Sequence, residues 1–447
     1  MPETPWTEAT LTPRLTQQRR RRRRLTIVAL SLVGLLVLGG AAIAIVYRSA
    51  VGGIQRSEFA LPGAADALAD PGEQNILIMG MDSRVDQNGD PLPDGVYEAL
   101  QAGGAEDGGY NANVLMLLHI PEDRSKAVGV SIPRDDYVEI PGAPMGVTHT
   151  KIKEAYGLAM QETMNELLWG EEELDDAERY QRARAAGRQA QIETVSHFLG
   201  DVRIDHFVEM TMGGFFHVTE AVAPVRVCLN HATEDRYSGA QFVAGEQDLD
   251  AEEAMSFVRQ RRDTGVDGPY LTDLDRSRRQ QAFLSSLTEK LRKKSTLTNP
   301  KTVWSLVDAT QKHVALDSEF DVLGFLQIAH EVSQTGVQFL TLPILDFDTI
   351  DGASVNTVDV DQIQAIMAAL LSGDTVSDAL AAGSPEFPVA EDGDDVLPGE
   401  EVDTTEDAQS APTADEAPAP TPTKPNATAR YDSWDEPIAA GSIPCVN

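Results

Sequence analysis

The feature that most constrains this chain lies near its start. Six consecutive arginines, Arg19 to Arg24, precede 22 uncharged residues, Leu25 to Val46. At 1.5 Å rise per residue, a helix of that length spans a hydrocarbon core about 30 Å thick. Basic residues stay on the cytoplasmic side. The expectation is therefore a cell-membrane protein with a cytoplasmic tail over 1–24, a single-pass transmembrane helix over 25–46 and an extracytoplasmic body. A cleaved signal peptide is the competing reading. Its apolar region is usually shorter, about 7–15 residues, and ends in a small-residue cleavage site that Ser49-Ala50 matches poorly. No second apolar stretch of that length follows.

The 447 residues are enough for about two domains. The formal net charge is −35 although the first 24 residues contain seven arginines. A body this acidic lacks the broad basic footprint of a nucleic-acid binder, so no nucleic acid is expected as partner. The two cysteines, Cys228 and Cys445, read outside the membrane as one disulfide, with two unpaired thiols as the alternative. Such a bridge would tie the 431–447 segment back to the folded part. Two cysteines alone do not make a metal site.

Composition divides the rest. Residues 47–74 read as a juxtamembrane linker and 75–375 as globular. From 383 to 430 the chain turns to Pro, Thr, Ala, Asp and Glu with almost no large apolar residues. It cannot bury enough apolar surface to offset its ordering entropy, so disorder is expected there. Within the globular part, short apolar runs read as strands: Asn75–Gly80, Asn113–Ile120, Lys126–Ile132, Asp205–Thr211, Pro224–Cys228 and Val337–Pro343. Helical patterns cover 151–168, 171–187, 189–199, 213–221, 251–258, 300–306 and 322–335. Alternation of the two predicts an α/β fold, a mixed central sheet flanked by helices.

The chemistry gathers in Arg259 to Gln281, RQRRDTGVDGPYLTDLDRSRRQQ, with six arginines in an acidic chain. Clustered guanidiniums clamp phosphate or pyrophosphate, because the planar fork donates paired hydrogen bonds and keeps its charge. A solvated helix end with surface ion pairs is the plain alternative. Two strand ends add to the pattern: Gly80-Met-Asp82-Ser-Arg84 after the first strand and Ser131-Ile-Pro-Arg134-Asp135 after the third. Ligands in open α/β sheets collect at the carboxyl ends of strands. Asp82 there suits a hard cation such as Mg²⁺, which shares oxygen ligands with phosphates. Read singly, Asp82 is a helix-cap residue and Arg84 or Arg134 a turn residue.

Taken in order, these pieces resemble one family. Asn75-Ile-Leu-Ile-Met-Gly-Met-Asp-Ser-Arg84, Ser131-Ile-Pro-Arg-Asp135, Lys151-Ile-Lys-Glu-Ala-Tyr156, Asp205-His-Phe207 with Gly213-Gly-Phe215, Gly245 with Leu249-Asp250, Arg259-x-Arg261 and Asp273-x-x-Arg276-x-x-x-Gln280 are similar to the LytR–CpsA–Psr family, over about residues 75–290. His119-Ile-Pro and the closing Pro-Cys-Val-Asn447 resemble its actinobacterial branch. The resemblance implies a membrane-anchored transferase that moves a glycopolymer from a polyprenyl-pyrophosphate carrier to a peptidoglycan acceptor, leaving a phosphodiester, with a possible pyrophosphatase side reaction. It implies Mg²⁺ on Asp82 and a pyrophosphate clamp of Arg134, Arg259, Arg261 and Arg276, with Gln280, Arg84, Lys151 and Asn111 as further contacts. Asp273 is implied either as base for the acceptor hydroxyl or as the residue that orients an arginine. The lipid would need an apolar slot, which 210–218 and 251–258 would line unless they are plain core.

The chain departs from the pattern at the second strand. Asn111-Ala-Asn113-Val114 stands where the family has a motif supplying a second metal carboxylate. Asn113 offers an amide oxygen without the charge, so weaker Mg²⁺ binding is expected. Lys153 replaces an asparagine common in the family, and 262–272 looks long. These departures motivate an alternative function: a weakly active or non-catalytic envelope protein that binds polyprenyl phosphates and regulates or scaffolds other enzymes.

Overall fold

The computed structural model describes residues 51–60, 72–124, 126–170, 172–265, 268–292, 299–383, 429–433, 435–439 and 443–447. The expected 1–24 tail, the 25–46 membrane helix and nearly all of the 383–430 acidic stretch lie outside the described residues. Among the described residues no helix is long and apolar enough to cross a membrane. The chain forms two compact units, 1–54 and 55–447. In the first, Ile54 N–H donates to the Val51 carbonyl at 3.3 Å and closes a turn.

In the second unit the strands are β1 (Gln55–Ser57), β2 (Gln74–Met81), β3 (Ala112–Ile120), β4 (Ala127–Ile132), β5 (Tyr137–Glu139), β6 (His149–Lys151), β7 (His206–Met210) and β8 (Val225–Leu229). They continue with β9 (Thr233–Asp235), β10 (Ala240–Phe242), β11 (Gly245–Leu249), β12 (Val314–Asp317), β13 (Val337–Thr341), β14 (Asp346–Ile350), β15 (Ala353–Thr357) and β16 (Cys445–Val446). The α-helices are α1 (Asp94–Leu100), α2 (Ala155–Trp169), α3 (Asp176–Phe198), α4 (Met212–Val222) and α5 (Ala251–Arg259), then α6 (Asp273–Arg292), α7 (Pro300–His313), α8 (Val322–Thr335), α9 (Val360–Leu371) and α10 (Val376–Ala382).

Seven strands make the central sheet in the order β1-β12-β7-β2-β3-β4-β13. β2 is parallel to β7 and antiparallel to β3, and β4 is antiparallel to β3 and parallel to β13. The sheet is therefore mixed, as expected. Strand periodicity sends alternate side chains to opposite faces. Leu77, Met79, Leu117 and Val130 enter one core, which includes Tyr156, Ile192 and Ile366 from the helices on that side. Met116 and Phe339 enter the other, with Phe257, Ala282 and Phe283 from α5 and α6. Helices thus cover both faces.

Three local outcomes differ from the sequence reading. The two helical segments expected at 171–187 and 189–199 are one helix, α3, whose Gly187 lets α2 approach: a Cβ there would sit 2.6 Å from the Tyr156 ring. Residues 55–57, within the stretch read as linker, pair in parallel with β12. The start of the 151–168 helix is instead the end of β6 and a 3₁₀ turn over Ile152–Glu154.

The 431–447 segment is part of the fold. Cys445 is disulfide-bonded to Cys228, and β16 runs parallel beside β8. Ile438 exchanges backbone hydrogen bonds of 2.9 and 2.8 Å with Phe339 on edge strand β13. Tyr431, Ile438 and Val446 are buried in the second core.

Candidate functional site

β3 runs opposite to β2 and β4, so its first residues lie beside the last residues of both. The register shifts between Gly80 and Met81. Gly80 is needed there because a Cβ would lie 2.9 Å from the Val114 Cβ. The strand ends at Met81, and the N–H of the next residue, Asp82, donates to the Asn111 carbonyl at 2.9 Å. The strand-end motifs seen in sequence are therefore one place in space.

α6 enters the same place by its N-terminus. Thr272 caps it, accepting from Leu274 N–H at 3.2 Å, while the Asp275 carboxylate takes the Thr272 N–H at 2.8 Å. This is the reciprocal capping arrangement, and it sets Asp273 and Arg276 on the first turn. A helix N-terminus also favours an anion. α5 begins in the same manner, with Asp250 and Glu253 capping each other, and carries Arg259 in its last turn.

Arg134 is the hub of one cluster. Its Nη1 donates to Asn113 Oδ1 at 2.8 Å and its Nη2 to Asp273 Oδ1 at 2.9 Å. Arg276 Nη2 donates to the other Asp273 oxygen at 2.8 Å and lies 3.5 Å from the Asn113 carbonyl. Asp273 thus spans two guanidiniums. Beside them Asp135 receives Lys153 Nζ at 2.6 Å, with Lys151 Nζ at 3.5 Å. Burial alone would raise the Asp135 pKa, but Arg134 and Lys153 outweigh it and hold the carboxyl below its ordinary range. Burial pulls the Arg276 guanidinium down to about 10, which still leaves it charged at neutral pH. Arg261 stands at the open side, also lowered by partial burial and by the nearby Arg134.

Arg84 and Arg259 form a second cluster with Asp82. Arg84 Nη2 is 4.0 Å from Asp82 Oδ1. Arg259 donates to the Leu100 carbonyl, and burial and the neighbouring Arg84 lower its pKa. The β3 start, Asn111 to Asn113, joins the two clusters. Gln280 reaches neither: its Nε2 donates to the Val258 carbonyl at 3.2 Å and ties α6 to the end of α5.

Cations outnumber carboxylates here, and several guanidinium hydrogens are unused. Among the described residues, Arg84 Nε and Nη1 and Arg276 Nε are buried without a hydrogen-bond acceptor, and Arg134 Nε meets only the Asp135 carboxylate, as a loose ion pair at 3.5 Å. Such donors are costly to leave unpaired unless an anion completes them. As for Mg²⁺, Asn113 Oδ1 already accepts from Arg134, whereas the Asp82 carboxylate faces Arg84 at 4.0 Å. No group of three or more His, Cys, Asp or Glu able to hold a metal occurs among the described residues. The donor set fits an ion that takes one protein carboxylate and draws its other ligands from phosphate and water.

Sequence reasoning left Arg262, Arg278 and Arg279 without a role and met Lys153 only as a departure from the family motif. Arg262 lies over the Tyr237 ring at 4.6 Å. Arg278 donates to the carbonyls of Ser433 and Glu436 and faces the Tyr431 ring. Arg279 Nε donates to the Asn447 carbonyl at 2.7 Å. The last two hold the C-terminal segment. No local signal in the sequence separates them from Arg276; only helical phase and the distant segment do.

A second charged group is wholly buried behind the site. Glu209 on β7 accepts from Arg184 and Arg188 of α3. Arg184 also donates to the hydroxyls of Tyr156 and Tyr180, at 2.6 and 2.7 Å. Burial would raise the Glu209 pKa; the two arginines reverse that and hold it at about 2.

The sequence profile of the LytR_cpsA_psr family matches residues 51–371. The cell wall biosynthesis protein LcpA of Corynebacterium glutamicum is 36% identical over 305 residues, 68% of this chain and 56% of that protein. The probable cell wall biosynthesis protein LcpB of the same organism is 26% identical over 306 residues, 68% of this chain and 63% of that protein. The Bacillus subtilis polyisoprenyl-teichoic acid–peptidoglycan teichoic acid transferase TagU is 24% identical over 341 residues, 72% of this chain and 90% of that protein. The chain spans less than two thirds of the length of either corynebacterial relative. The match runs through both strand ends and the arginine-bearing helix, and on it the chain belongs to the LytR–CpsA–Psr family.

Proposed function

We propose that this protein is a membrane-anchored, extracytoplasmic phosphotransferase that moves a glycopolymer from a polyprenyl-pyrophosphate carrier to peptidoglycan. The observation that carries the reading is the set of buried guanidinium hydrogens on Arg84 and Arg276 that lack acceptors, beside an Arg134 Nε held only loosely by Asp135 at 3.5 Å. A diphosphate supplies several anionic oxygens at the spacing of such a cluster. The names of the wall-synthesis relatives and of the teichoic acid transferase support the same class of reaction.

In the proposed step the acceptor hydroxyl oxygen bonds to the phosphorus that carries the glycan. The bond from that phosphorus to the bridging oxygen breaks, and its electrons leave with the polyprenyl phosphate. Arg134, Arg261 and Arg276 meet the charge on one side and Arg84 and Arg259 on the other; fixed cations of this kind supply much of the catalysis of phosphoryl transfer. Lys151 and Lys153 keep Asp135 ionised and Arg134 in place. Asp273 orients both Arg134 and Arg276, since each of its oxygens accepts from one of them. We assign it that role first, with proton acceptance from the hydroxyl as its second. Asp82 would hold Mg²⁺ together with the diphosphate. The bound ion would supply further neutralisation of the leaving oxygen. Water in place of the acceptor hydroxyl would give pyrophosphatase activity.

The full chain in detergent, given a polyprenyl-pyrophosphate glycan and Mg²⁺, should release polyprenyl phosphate. Arg134→Ala should slow release by about 10²–10³-fold, the scale of one lost charge-stabilising donor. Equal rates for the two proteins would overturn the assignment.

A further inference from the structure

One cleft lies apart from the arginine cluster. It has a volume of about 370 Å³ and is lined by His217 and Glu220 of α4 and by Lys301, Trp304, Ser305, Asp308 and Ala309 of α7. That volume is within the usual range for small-ligand sites, about 300–1,000 Å³. The α7 residues fall at i, i+3, i+4, i+7 and i+8. These positions normally form the apolar stripe by which a surface helix is buried. Here they present a lysine, a tryptophan, a serine and an aspartate to an open cleft. Trp304 is 52% exposed, leaving a large ring face against water.

We propose that this cleft is a saccharide-binding subsite, with Trp304 as the platform on which a sugar ring stacks. The inference rests on the transferase reading above. The apolar face of a pyranose carries slightly positive C–H groups that match the electron-rich face of an indole. Its hydroxyls need both donors and acceptors. Lys301 and Ser305 donate; Glu220 and Asp308 accept. Glu220 is oriented by His217 Nδ1 at 3.2 Å and Asp308 by Lys312 Nζ at 3.1 Å. The mixed charges suit a neutral polyhydroxyl ligand. The two carboxylates disfavour a polyanion, and Trp304 and Ala309 alone are too little apolar surface for a lipid chain.

The position fits a glycan that begins at the diphosphate site. The first residue of α4, Met212, lies with its N–H 3.4 Å from the carbonyl of Ser83, between Asp82 and Arg84. At 1.5 Å per residue, His217 and Glu220 are about 8 and 12 Å further along the helix. A short oligosaccharide covers that distance. Both the donor glycan and the peptidoglycan acceptor present this chemistry.

The test titrates the full chain in detergent with two probes: soluble glycan strands released from peptidoglycan, and envelope polysaccharide freed from its carrier by mild acid. At least one should bind, with Trp304→Ala weakening it tenfold or more and Trp304→Phe weakening it less. Binding of the first probe identifies the acceptor as occupant, and binding of the second the donor. If neither binds, or if Trp304→Ala binds like the parent protein, the subsite is overturned. In parallel, hydrolysis of sugar-free polyprenyl pyrophosphate should be unchanged in Trp304→Ala. Loss of that hydrolysis in Trp304→Ala would also overturn the subsite, because the residue would then matter without a sugar. The transferase reading is read separately, from Arg134→Ala in the same assay.

Discussion

Asn113 Oδ1 accepts a 2.8 Å hydrogen bond from Arg134 Nη1, so the amide at the start of β3 is engaged by the guanidinium at the centre of the pocket. An aspartate at that position would face Arg134 as an ion pair and add negative charge close to Asp82. Asn113→Asp is expected to bind Mg²⁺ several-fold more tightly, and metal titration of turnover reads it. An unchanged midpoint would show that the amide is not what weakens the metal site.

Arg276 and Arg278 are two residues apart on α6 and face different partners. Arg276→Ala is expected to abolish most turnover while the protein remains folded. Arg278→Ala removes the donor to Ser433 and Glu436 and should cost about 1–3 kcal/mol, the scale of buried acceptors left unpaired. Paired kinetic and thermal-unfolding measurements distinguish them. The reverse pattern would mean that the helix phase is misread.

Glu209→Ala leaves Arg184 and Arg188 buried without their carboxylate. Removing one partner of a buried ion pair costs about 3–5 kcal/mol, so this variant should be among the most destabilised. The pH sign follows from the Glu209 pKa of about 2, well below the ordinary glutamate value. Its stabilisation is present above the ordinary value and is lost as pH falls toward 2. Acid unfolding of Glu209→Gln should lack that component.

Asp136 behaves oppositely. Burial raises its pKa well above the usual carboxylate range, and Asn356 donates to one of its oxygens at 2.9 Å. The neutral form is the one the fold accommodates. Its contribution is complete below the ordinary aspartate pKa and declines as pH rises through the elevated folded value. Asp136→Asn should flatten that decline and leave the protein at least as stable at neutral pH. A large loss of stability would show that the ionised form is native.

Replacing both Cys228 and Cys445 by serine should cost about 2–4 kcal/mol and remove any sensitivity of unfolding to reductant. Persistent sensitivity to reductant in that variant would contradict the single bridge.

Much of this site was legible because its parts sit at sequence-marked ends. Gly80 to Arg84 and Ser131 to Asp135 each close an apolar run, and Arg276 stands in the arginine-rich stretch of an acidic chain. What escaped were features set by distance along the chain. β12, a four-residue strand, pairs between β1 and β7, and no local periodicity separates it from the helix before it. Lys153 looked like a departure from a motif, yet the 3₁₀ turn after β6 carries it to Asp135. Glu209 read as one polar residue in a short strand, and only α3 packed across it reveals the arginines that neutralise it.

The pairing of Ile438 with Phe339 has a consequence for the molecule among its neighbours. β13 is the last strand of the central sheet, and an uncovered terminal strand is a template on which another chain can add by backbone hydrogen bonding. Here a segment of the same chain, fastened to β8 through Cys228 and Cys445, occupies part of that ladder. Copies meeting at high concentration would find that edge of the sheet already shielded from within.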